Sequence, residues 1–133
     1  GSARLTFRDA ATFEVLGQVV VTDAFGPVAR LNELECVGGD VYANVFTTDD
    51  IVRIDPRSGT VTAWIDASGL LSPEERAGAN VLNGIAYDDR RDTFLITGKW
   101  WPRRLEVVFV PAAGTDLGPV YLPLAQRTRP GRP

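Results

Sequence analysis

The sequence predicts an all-β protein of the β-propeller class. Two stretches, 31–55 and 82–109, are approximate copies of each other, and each opens with a Leu-Asn pair. The two asparagines, Asn32 and Asn83, are 51 residues apart, and strand-like segments follow them in the same order. A period of roughly 40–50 residues with about four short strands is typical of a propeller blade, which buries its faces only against neighbouring blades. The 133 residues suffice for two and a half blades, so we expect part of a larger ring.

Turn signals and apolar periodicity divide this predicted domain into five successive parts. They are the outer part of an incomplete blade (1–29), a complete blade (30–71), an insertion between blades (72–81), the last blade (82–122) and a flexible tail (123–133). Clusters rich in glycine, proline and aspartate separate the expected strands, because these residues favour tight turns. The strands are predicted at 4–7, 12–21, 32–37, 41–46, 51–55, 61–66, 82–88, 93–98 and 105–110. Ser72 is the predicted N-cap, and Pro73 the first residue, of a short helix in the insertion.

Composition excludes several classes of function. The hydrophobic fraction is 44%, and no apolar run approaches the roughly 18 residues of a membrane span, so no membrane partner is expected. A net charge of -3 gives no electrostatic reason to expect nucleic acid. With no histidine and one cysteine, the chain itself cannot form a Ser-His-Asp or Cys-His centre, nor the usual zinc site. That cysteine, Cys36, is expected to be a small buried residue of a strand.

The basic residues are distributed unevenly. Of the 14, all but one are arginine, and Lys99 is the exception. An ammonium is more compact than a guanidinium, so position 99 is a candidate for a site that arginine cannot fill. Trp100 and Trp101 follow it between two predicted strands. These tryptophans either line a pocket or pack between blades, and we expect at least one to be structural.

Other polar residues are candidates near the predicted central channel. Asn32 and Asn83 begin inner strands, where an amide either orients a substrate group or bonds the backbone of a loop. Glu33 and Glu35 lie two residues apart and so face one side of a strand. They form either an acid–base pair, in which repulsion raises one pKa, or the polar wall of a channel.

Six short motifs occur in a fixed order across most of residues 4–110. They are Leu31-Asn32-Glu33-Leu34-Glu35, Tyr42-Ala43-Asn44-Val45-Phe46, Thr48-Asp49-Asp50-Ile51-Val52-Arg53-Ile54-Asp55-Pro56, Trp64-Ile65-Asp66, Leu82-Asn83-Gly84-Ile85-Ala86-Tyr87 and Thr97-Gly98-Lys99-Trp100-Trp101-Pro102. The ordered set resembles the plant and bacterial type of glutaminyl-peptide cyclotransferase, a family of five-bladed β-propeller enzymes. Single motifs such as 83–86 also occur in other propellers, so the resemblance depends on the whole set.

The resemblance implies an enzyme that converts the N-terminal glutamine of peptides to pyroglutamate and releases ammonia, at one mouth of the channel. Asn32 matches the family's substrate-binding asparagine, and Lys99 matches its active-site lysine. Phe46 stands where the family usually has tryptophan, which keeps an aromatic wall but removes the indole N–H. The expected site comprises the catalytic residue Lys99 and the substrate-binding residues Asn32, Phe46, Trp100, Trp101 and Glu33.

The resemblance also implies the partners and the surroundings. No cofactor or metal is expected in catalysis, whereas a structural divalent ion is left open. The expected partners are N-terminal glutaminyl peptides, and either a complementary N-terminal half of the propeller or a second copy of the chain. The family suggests a secreted or periplasmic location.

The first half of the family pattern is not matched. It carries a Phe-x-Gln-Gly motif, a Phe-Gly-Glu-Gly motif whose glutamate is assigned to proton transfer, and a Glu-Gly-Trp-Gly stretch. None of the three occurs in this sequence. We therefore expect the chain to be the C-terminal half of such an enzyme and to be inactive in isolation.

Two other functions stay open from the residues alone. A metal-dependent propeller hydrolase of the lactonase type would bind a divalent ion through oxygen atoms of Asn32, Glu33, Asn83 and Asp49. Asp49 and Asp50 form an adjacent acidic pair, although aspartate is favoured in turns for structural reasons as well. The other alternative is a non-catalytic propeller fragment that self-associates.

Overall fold

The computed structural model describes residues 1–112 and the backbone of residues 120–127. In this part of the chain the elements are β1 (Arg4–Arg8), β2 (Val15–Val20), β3 (Thr22–Asp23), β4 (Gly26–Pro27), β5 (Leu31–Val37), β6 (Asp40–Val45), β7 (Asp50–Ile54), β8 (Val61–Asp66), α1 (Pro73–Gly78), β9 (Leu82–Asp88), β10 (Thr93–Gly98), β11 (Leu105–Pro111) and β12 (Val120–Arg127). No helix among the described residues is long and apolar enough to cross a membrane.

Strands β5 to β8 form one antiparallel meander, in which each strand pairs with the next. Gly38 and Gly39 turn the chain between β5 and β6 with φ angles of 61° and 94°. Gly59 has a φ of 77° in the turn between β7 and β8. Side chains with a Cβ rarely adopt these angles, so the glycines close the two hairpins. This meander is the complete blade.

Strands β9 to β12 repeat the meander and form the last blade. β12 also runs parallel to β8, which joins the two blades in one eight-stranded sheet. The flexible tail predicted at 123–133 needs a correction. Residues 123–127 belong to β12, because their backbone pairs with β11, whereas residues 128–133 lie outside the described part.

Strands β1 and β2 form a separate two-stranded sheet in the region expected to be an incomplete blade. Backbone hydrogen bonds hold this region together and connect it to the complete blade. Within the region the Val21 N–H donates to the carbonyl of Ala3 at 2.7 Å. Across to the complete blade the Leu31 N–H donates to the carbonyl of Ser2 at 3.3 Å, and the Thr22 N–H donates to the carbonyl of Gly59 at 2.9 Å. Phe25, in the adjoining β3–β4 turn, is 94% exposed. A propeller blade normally covers such apolar surface with a neighbouring blade.

An apolar core fills the space between the two blades. Ile51 and Ile65 of the complete blade meet Leu82, Ile96 and Leu105 of the last blade, and all five are at most 1% exposed. Full burial of one such side chain stabilises a fold by about 1.5–3 kcal/mol. The core therefore holds the strand ends of the two blades at a fixed spacing, which the site below requires.

Cys36 is exposed, so the prediction of a buried cysteine is wrong. It lies on β5, at one end of the eight-stranded sheet, and Leu31 is the one residue of that strand that is buried. A side chain of an edge strand needs a second layer to cover it, and the described residues provide none at Cys36.

Candidate active site

A β-bulge brings Asn32 to the start of the complete blade. The register between β5 and β6 shifts between Leu31 and Leu34, so that Asn32 and Glu33 together oppose the single residue Asn44. A bulge of this kind leaves one backbone group unpaired and turns the side chains beside it. Asn32 is therefore re-aimed relative to the rest of its strand.

The last blade has the same bulge at the equivalent position. The register between β9 and β10 shifts between Ile96 and Gly98, so that Asn83 and Gly84 oppose Thr97. The repeat seen in the sequence thus extends to an irregularity of the backbone. Both blades use it to present an asparagine at the start of the inner strand.

The two asparagines contact each other directly. The Nδ2 group of Asn32 donates a hydrogen bond to Oδ1 of Asn83. This bond leaves the Oδ1 atom of Asn32 and one amide hydrogen for other partners, since an amide group has two donor and two acceptor positions. The prediction that both side chains lie at one end of the inner strands agrees with this contact.

Asn44 connects the blades behind this pair. Its side chain is fully buried, and its Oδ1 accepts a hydrogen bond of 3.1 Å from the backbone N–H of Gly84. Gly84 is the second residue of the bulge in the last blade, so Asn44 satisfies a backbone donor of the neighbouring blade. Sequence reasoning missed this role, although a signal was present: Asn44 is an amide within the otherwise apolar or aromatic run 41–46.

Lys99 and Phe46 lie at the same end of the blades as the two asparagines. Phe46 follows the last residue of β6, and Lys99 follows the last residue of β10. The Nζ atom of Lys99 lies 5.7 Å from the centroid of the Phe46 ring, within the range of a cation–π interaction. We call this end, defined by Asn32, Phe46, Asn83 and Lys99, the mouth.

The backbone around Lys99 is held by the segment before β9. The Lys99 N–H donates to the carbonyl of Val81 at 2.9 Å, and the Asn80 N–H donates to the carbonyl of Lys99 at 2.8 Å. The indole Nε1 of Trp101 adds a 3.0 Å hydrogen bond to the carbonyl of Asn80. A Cβ atom on Gly98 would lie 2.3 Å from that Nε1 atom, so glycine is required for this close packing.

The neighbouring tryptophans therefore have different environments. Trp101 is partly buried and packs against the core between the blades. Trp100 is 78% exposed and has a φ of 58°, a left-handed angle that is strained for a bulky residue. Of the predicted pair, Trp101 holds the loop in place, and Trp100 is the one presented to solvent.

The insertion before β9 contacts both the loop that follows Phe46 and the loop that follows Lys99. Ser72 caps α1 in a reciprocal capping box with Glu75. Glu75 also accepts a 3.0 Å hydrogen bond from Arg103, in the loop that follows Lys99. Arg76 forms an ion pair with Asp49, in the loop that follows Phe46. A polar cleft of about 410 Å³ lies beside this ion pair.

The two glutamates predicted as a pair have different roles. Glu35 accepts hydrogen bonds from the backbone N–H of Cys36 at 2.8 Å and of Tyr87, on the neighbouring blade, at 3.2 Å. Glu33 is exposed within the bulge. Glu35 thus stabilises the contact between β5 and β9, and Glu33 is the carboxylate of the two that is open to solvent.

Acidic residues also gather near the loop after Phe46. Burial raises the pKa of the Asp50 carboxyl, and the nearby carboxylates of Asp66 and Asp49 raise it further, against a lowering hydrogen bond with Thr48. Asp66 lies directly opposite Asp50 on β8. Within the described residues, no group of three or more His, Cys, Asp or Glu side chains is placed to hold a metal ion. Of the oxygen ligands suggested by sequence, Asn32 and Asn83 meet, whereas Asp49 is paired with Arg76.

Two adjacent four-stranded blades with a packed core between them place the chain in the β-propeller class, as a section of a ring. The family model described as glutamine cyclotransferase matches residues 1–109. The chain belongs to the glutamine cyclotransferase family, which confirms the resemblance drawn from the six motifs.

Individual relatives agree with this assignment. A glutaminyl-peptide cyclotransferase of Arabidopsis thaliana is 38% identical over 111 residues, which are 80% of this chain and 34% of that protein. The crystal structure of Myxococcus xanthus glutaminyl cyclase matches with a TM-score of 0.69 and 41% identity, over 80% of this chain and 47% of that chain. The chain thus spans about a third of the plant relative and about half of the bacterial one.

Proposed function

We propose that this chain is the C-terminal part of an enzyme that cyclises N-terminal glutamine of peptides to pyroglutamate and releases ammonia. The observation that carries the proposal is the match to the glutamine cyclotransferase family over residues 1–109. The geometry of the mouth supports it, because Lys99, Phe46 and Asn32 come from two blades to one end of the fold.

The reaction needs no protein nucleophile. The α-amine of the substrate attacks the carbon of its own side-chain carboxamide, a ring C–N bond forms, and the bond to the carboxamide nitrogen breaks. The amine loses a proton, and the leaving nitrogen gains one and departs as ammonia. The enzyme must mainly hold the glutamine in the attacking conformation, and good orientation can lower such a barrier by up to about 7–11 kcal/mol.

The residues of the mouth suit two parts of this task. The Lys99 ammonium and the free amide hydrogen of Asn32 are donors that can stabilise the oxyanion formed when the carboxamide is attacked. The Phe46 ring offers an apolar wall for the methylene groups of the glutamine. Asn83 accepts from Asn32 and so orients its amide.

The proton transfer falls to a carboxylate outside this chain in our proposal. Glu35 is engaged by two backbone N–H groups, so it is poorly available as a base. The family's proton-transfer glutamate belongs to a motif that this sequence lacks. We propose that a complementary N-terminal part of the propeller supplies it, and that the chain alone pairs with that part or self-associates.

We also propose that the reaction uses no metal or other cofactor, and that the protein works outside the cytoplasm, as the family resemblance implies. The assay is ammonia release from a peptide that begins with glutamine, catalysed by the complete propeller that contains this chain, with and without a chelator. We expect release that the chelator leaves unchanged. Complete loss on chelation, restored by a divalent ion, would instead support the metal-dependent hydrolase.

A further inference from the structure

We infer that Asn44 is a positioning residue of the active site, acting through the bulge of the neighbouring blade on the amide of Asn32. The inference rests on the proposed cyclisation, since its consequence is a change in that activity. Asn44 belongs to the complete blade and bonds Gly84 of the last blade, so the contact crosses the interface between blades.

The orientation of the Asn44 amide follows from its partner. The Gly84 backbone N–H is a donor, so the atom that faces it at 3.1 Å must be the carbonyl oxygen Oδ1. The amide nitrogen Nδ2 then points elsewhere, and it is buried without a hydrogen-bond partner among the described residues. Leaving such a donor unpaired costs about 1–3 kcal/mol. A leucine would avoid that cost but would leave the Gly84 N–H without the acceptor that Asn44 supplies, so asparagine makes this bond and leaves one side-chain donor unpaired instead.

Two hydrogen bonds and one covalent link connect Asn44 to the mouth. Asn44 holds the backbone of Gly84, Gly84 is covalently joined to Asn83, and Asn83 accepts the hydrogen bond from Asn32. The bulge makes this support necessary, because a bulge leaves backbone groups outside the normal ladder. Gly84 belongs to such a bulge, and Asn44 supplies an acceptor for its N–H from the neighbouring blade.

The packing around Gly84 makes its position critical. A Cβ atom at Gly84 would lie 2.6 Å from the Cγ2 methyl of Thr97, so the backbone of the bulge sits directly against β10. A bulge held on one side by this packing and on the other by Asn44 has little freedom to move. The amide of Asn83, and with it that of Asn32, is thereby fixed before substrate binds.

The test uses the complete propeller with two substitutions at position 44. Asn44→Leu removes the acceptor and keeps the volume, and we expect kcat/KM for a Gln-initiated peptide to fall by about 10- to 100-fold, as small misplacements of a reacting group do. Most of the loss should lie in kcat, because the interaction concerned acts in the transition state. Thermal unfolding should change little, since the substitution removes the unpaired Nδ2 donor but leaves the Gly84 N–H without its acceptor.

Asn44→Asp gives a second signature. A carboxyl oxygen accepts from the Gly84 N–H whether the group is protonated or ionised, so aspartate replaces the acceptor of the amide. We therefore expect Asn44→Asp to keep most of the kcat/KM that Asn44→Leu loses. Thr97→Val is the matched control: Thr97 opposes the same bulge, and valine keeps its methyl contact, so the activity should be unchanged.

The outcomes separate this inference from the proposed function. A wild-type protein that releases no ammonia from the peptide contradicts the proposed function, and the inference fails with it. An active wild type with a folded Asn44→Leu variant of normal kcat/KM overturns the inference alone. If Asn44→Leu does not fold, Asn44→Asp decides: a folded variant with near-normal kcat/KM supports positioning by the acceptor, and a folded variant that loses as much as predicted for Asn44→Leu contradicts it.

Discussion

The two blades share a backbone plan and differ in the side chains that they bring to the mouth. Each opens with an asparagine in a bulge, and each has a residue of the candidate site directly after its second strand. That residue is an aromatic ring, Phe46, in the complete blade and an ammonium, Lys99, in the last blade. The repeat therefore duplicates the backbone scaffold, whereas the side chains that differ between the two copies, Phe46 and Lys99, give each blade a different role in the candidate site.

The largest expected effect comes from the cation that distinguishes the last blade. In the complete propeller, Lys99→Ala should lower kcat by one to three orders of magnitude, as loss of an oxyanion donor does in other enzymes. The fold should be unchanged, because Lys99 is exposed. Steady-state kinetics of ammonia release and thermal unfolding measure the two effects. The control is Arg57→Ala, which removes another cation at an exposed turn away from the mouth. Near-normal turnover of a folded Lys99→Ala variant would show that the last blade does not contribute a catalytic cation.

A smaller effect is expected from the glycine before Lys99. In Gly98→Ala, the new Cβ would lie 2.3 Å from the Trp101 indole nitrogen, so Trp101 and the loop of Lys99 must shift. Such overpacking usually costs about 1–3 kcal/mol of stability, and we expect kcat/KM to fall with it. Gly17→Ala is the matched control, because no atom lies within 4 Å of its added Cβ. Equal behaviour of the two variants in thermal unfolding and kinetics would contradict the tight loop.

The aromatic ring of the complete blade should matter less than the lysine. Phe46→Leu keeps an apolar wall and removes the cation–π interaction, worth about 0.5–1 kcal/mol at an exposed site, so kcat/KM should fall by roughly two- to fivefold. Phe46→Trp, the residue usual in the family, should retain or slightly raise kcat/KM, because tryptophan is the best partner for a cation. A fall in kcat/KM for Phe46→Leu as large as that for Lys99→Ala would contradict the proposal that the aromatic ring contributes less to catalysis than the lysine.

The smallest effect concerns stability at the base of the Phe46 loop. The raised pKa of Asp50 means that the native state binds a proton more tightly there than the unfolded chain does. Stability is therefore lost as the pH rises from the unfolded pKa, near 3.9, through the raised folded value. We expect Asp50→Asn to have a higher Tm than the wild type at neutral pH, with the difference vanishing in acid.

The control for Asp50 has the opposite sign. The backbone N–H groups of Thr12 and Ala11 hold the pKa of Asp9 below its usual value. Its carboxylate therefore adds stability above the unfolded pKa, and that stability is lost as the pH falls through the folded value. Asp9→Asn should lower Tm at neutral pH. A lower Tm for Asp50→Asn at neutral pH would contradict the assignment of its pKa to burial.

Patterns that are local along the chain could be predicted from the sequence. The repeat and the turn residues located strands β5 to β11, because period, alternation and turn residues are properties of short segments. The family motifs led to Lys99, Phe46 and Asn32 as candidates for one site, which the contact between Lys99 and Phe46 supports.

Features that depend on register or on cover from another layer could not be predicted in this way. The two bulges follow from the pairing of distant strands, so the burial of Asn44 and its bond to Gly84 were missed. Cys36 lies in a strand-like stretch, yet its burial depended on a neighbour that the described residues do not include. The predicted tail includes residues 123–127, whereas their place in β12 follows from pairing with β11.

The most direct test of the central claim, that this chain holds one part of a divided active site, is ammonia release by the purified 133-residue chain alone. The chain carries Lys99 and Asn32 but lacks the family's motif for proton transfer. It also exposes apolar surface around Phe25, so it should self-associate in light scattering unless its complement covers it. We predict no cyclisation of a Gln-initiated peptide by the isolated chain. A stable monomer of 133 residues that releases ammonia from that peptide would contradict both the division of the site and the assignment of the proton-transfer carboxylate to another part of the propeller.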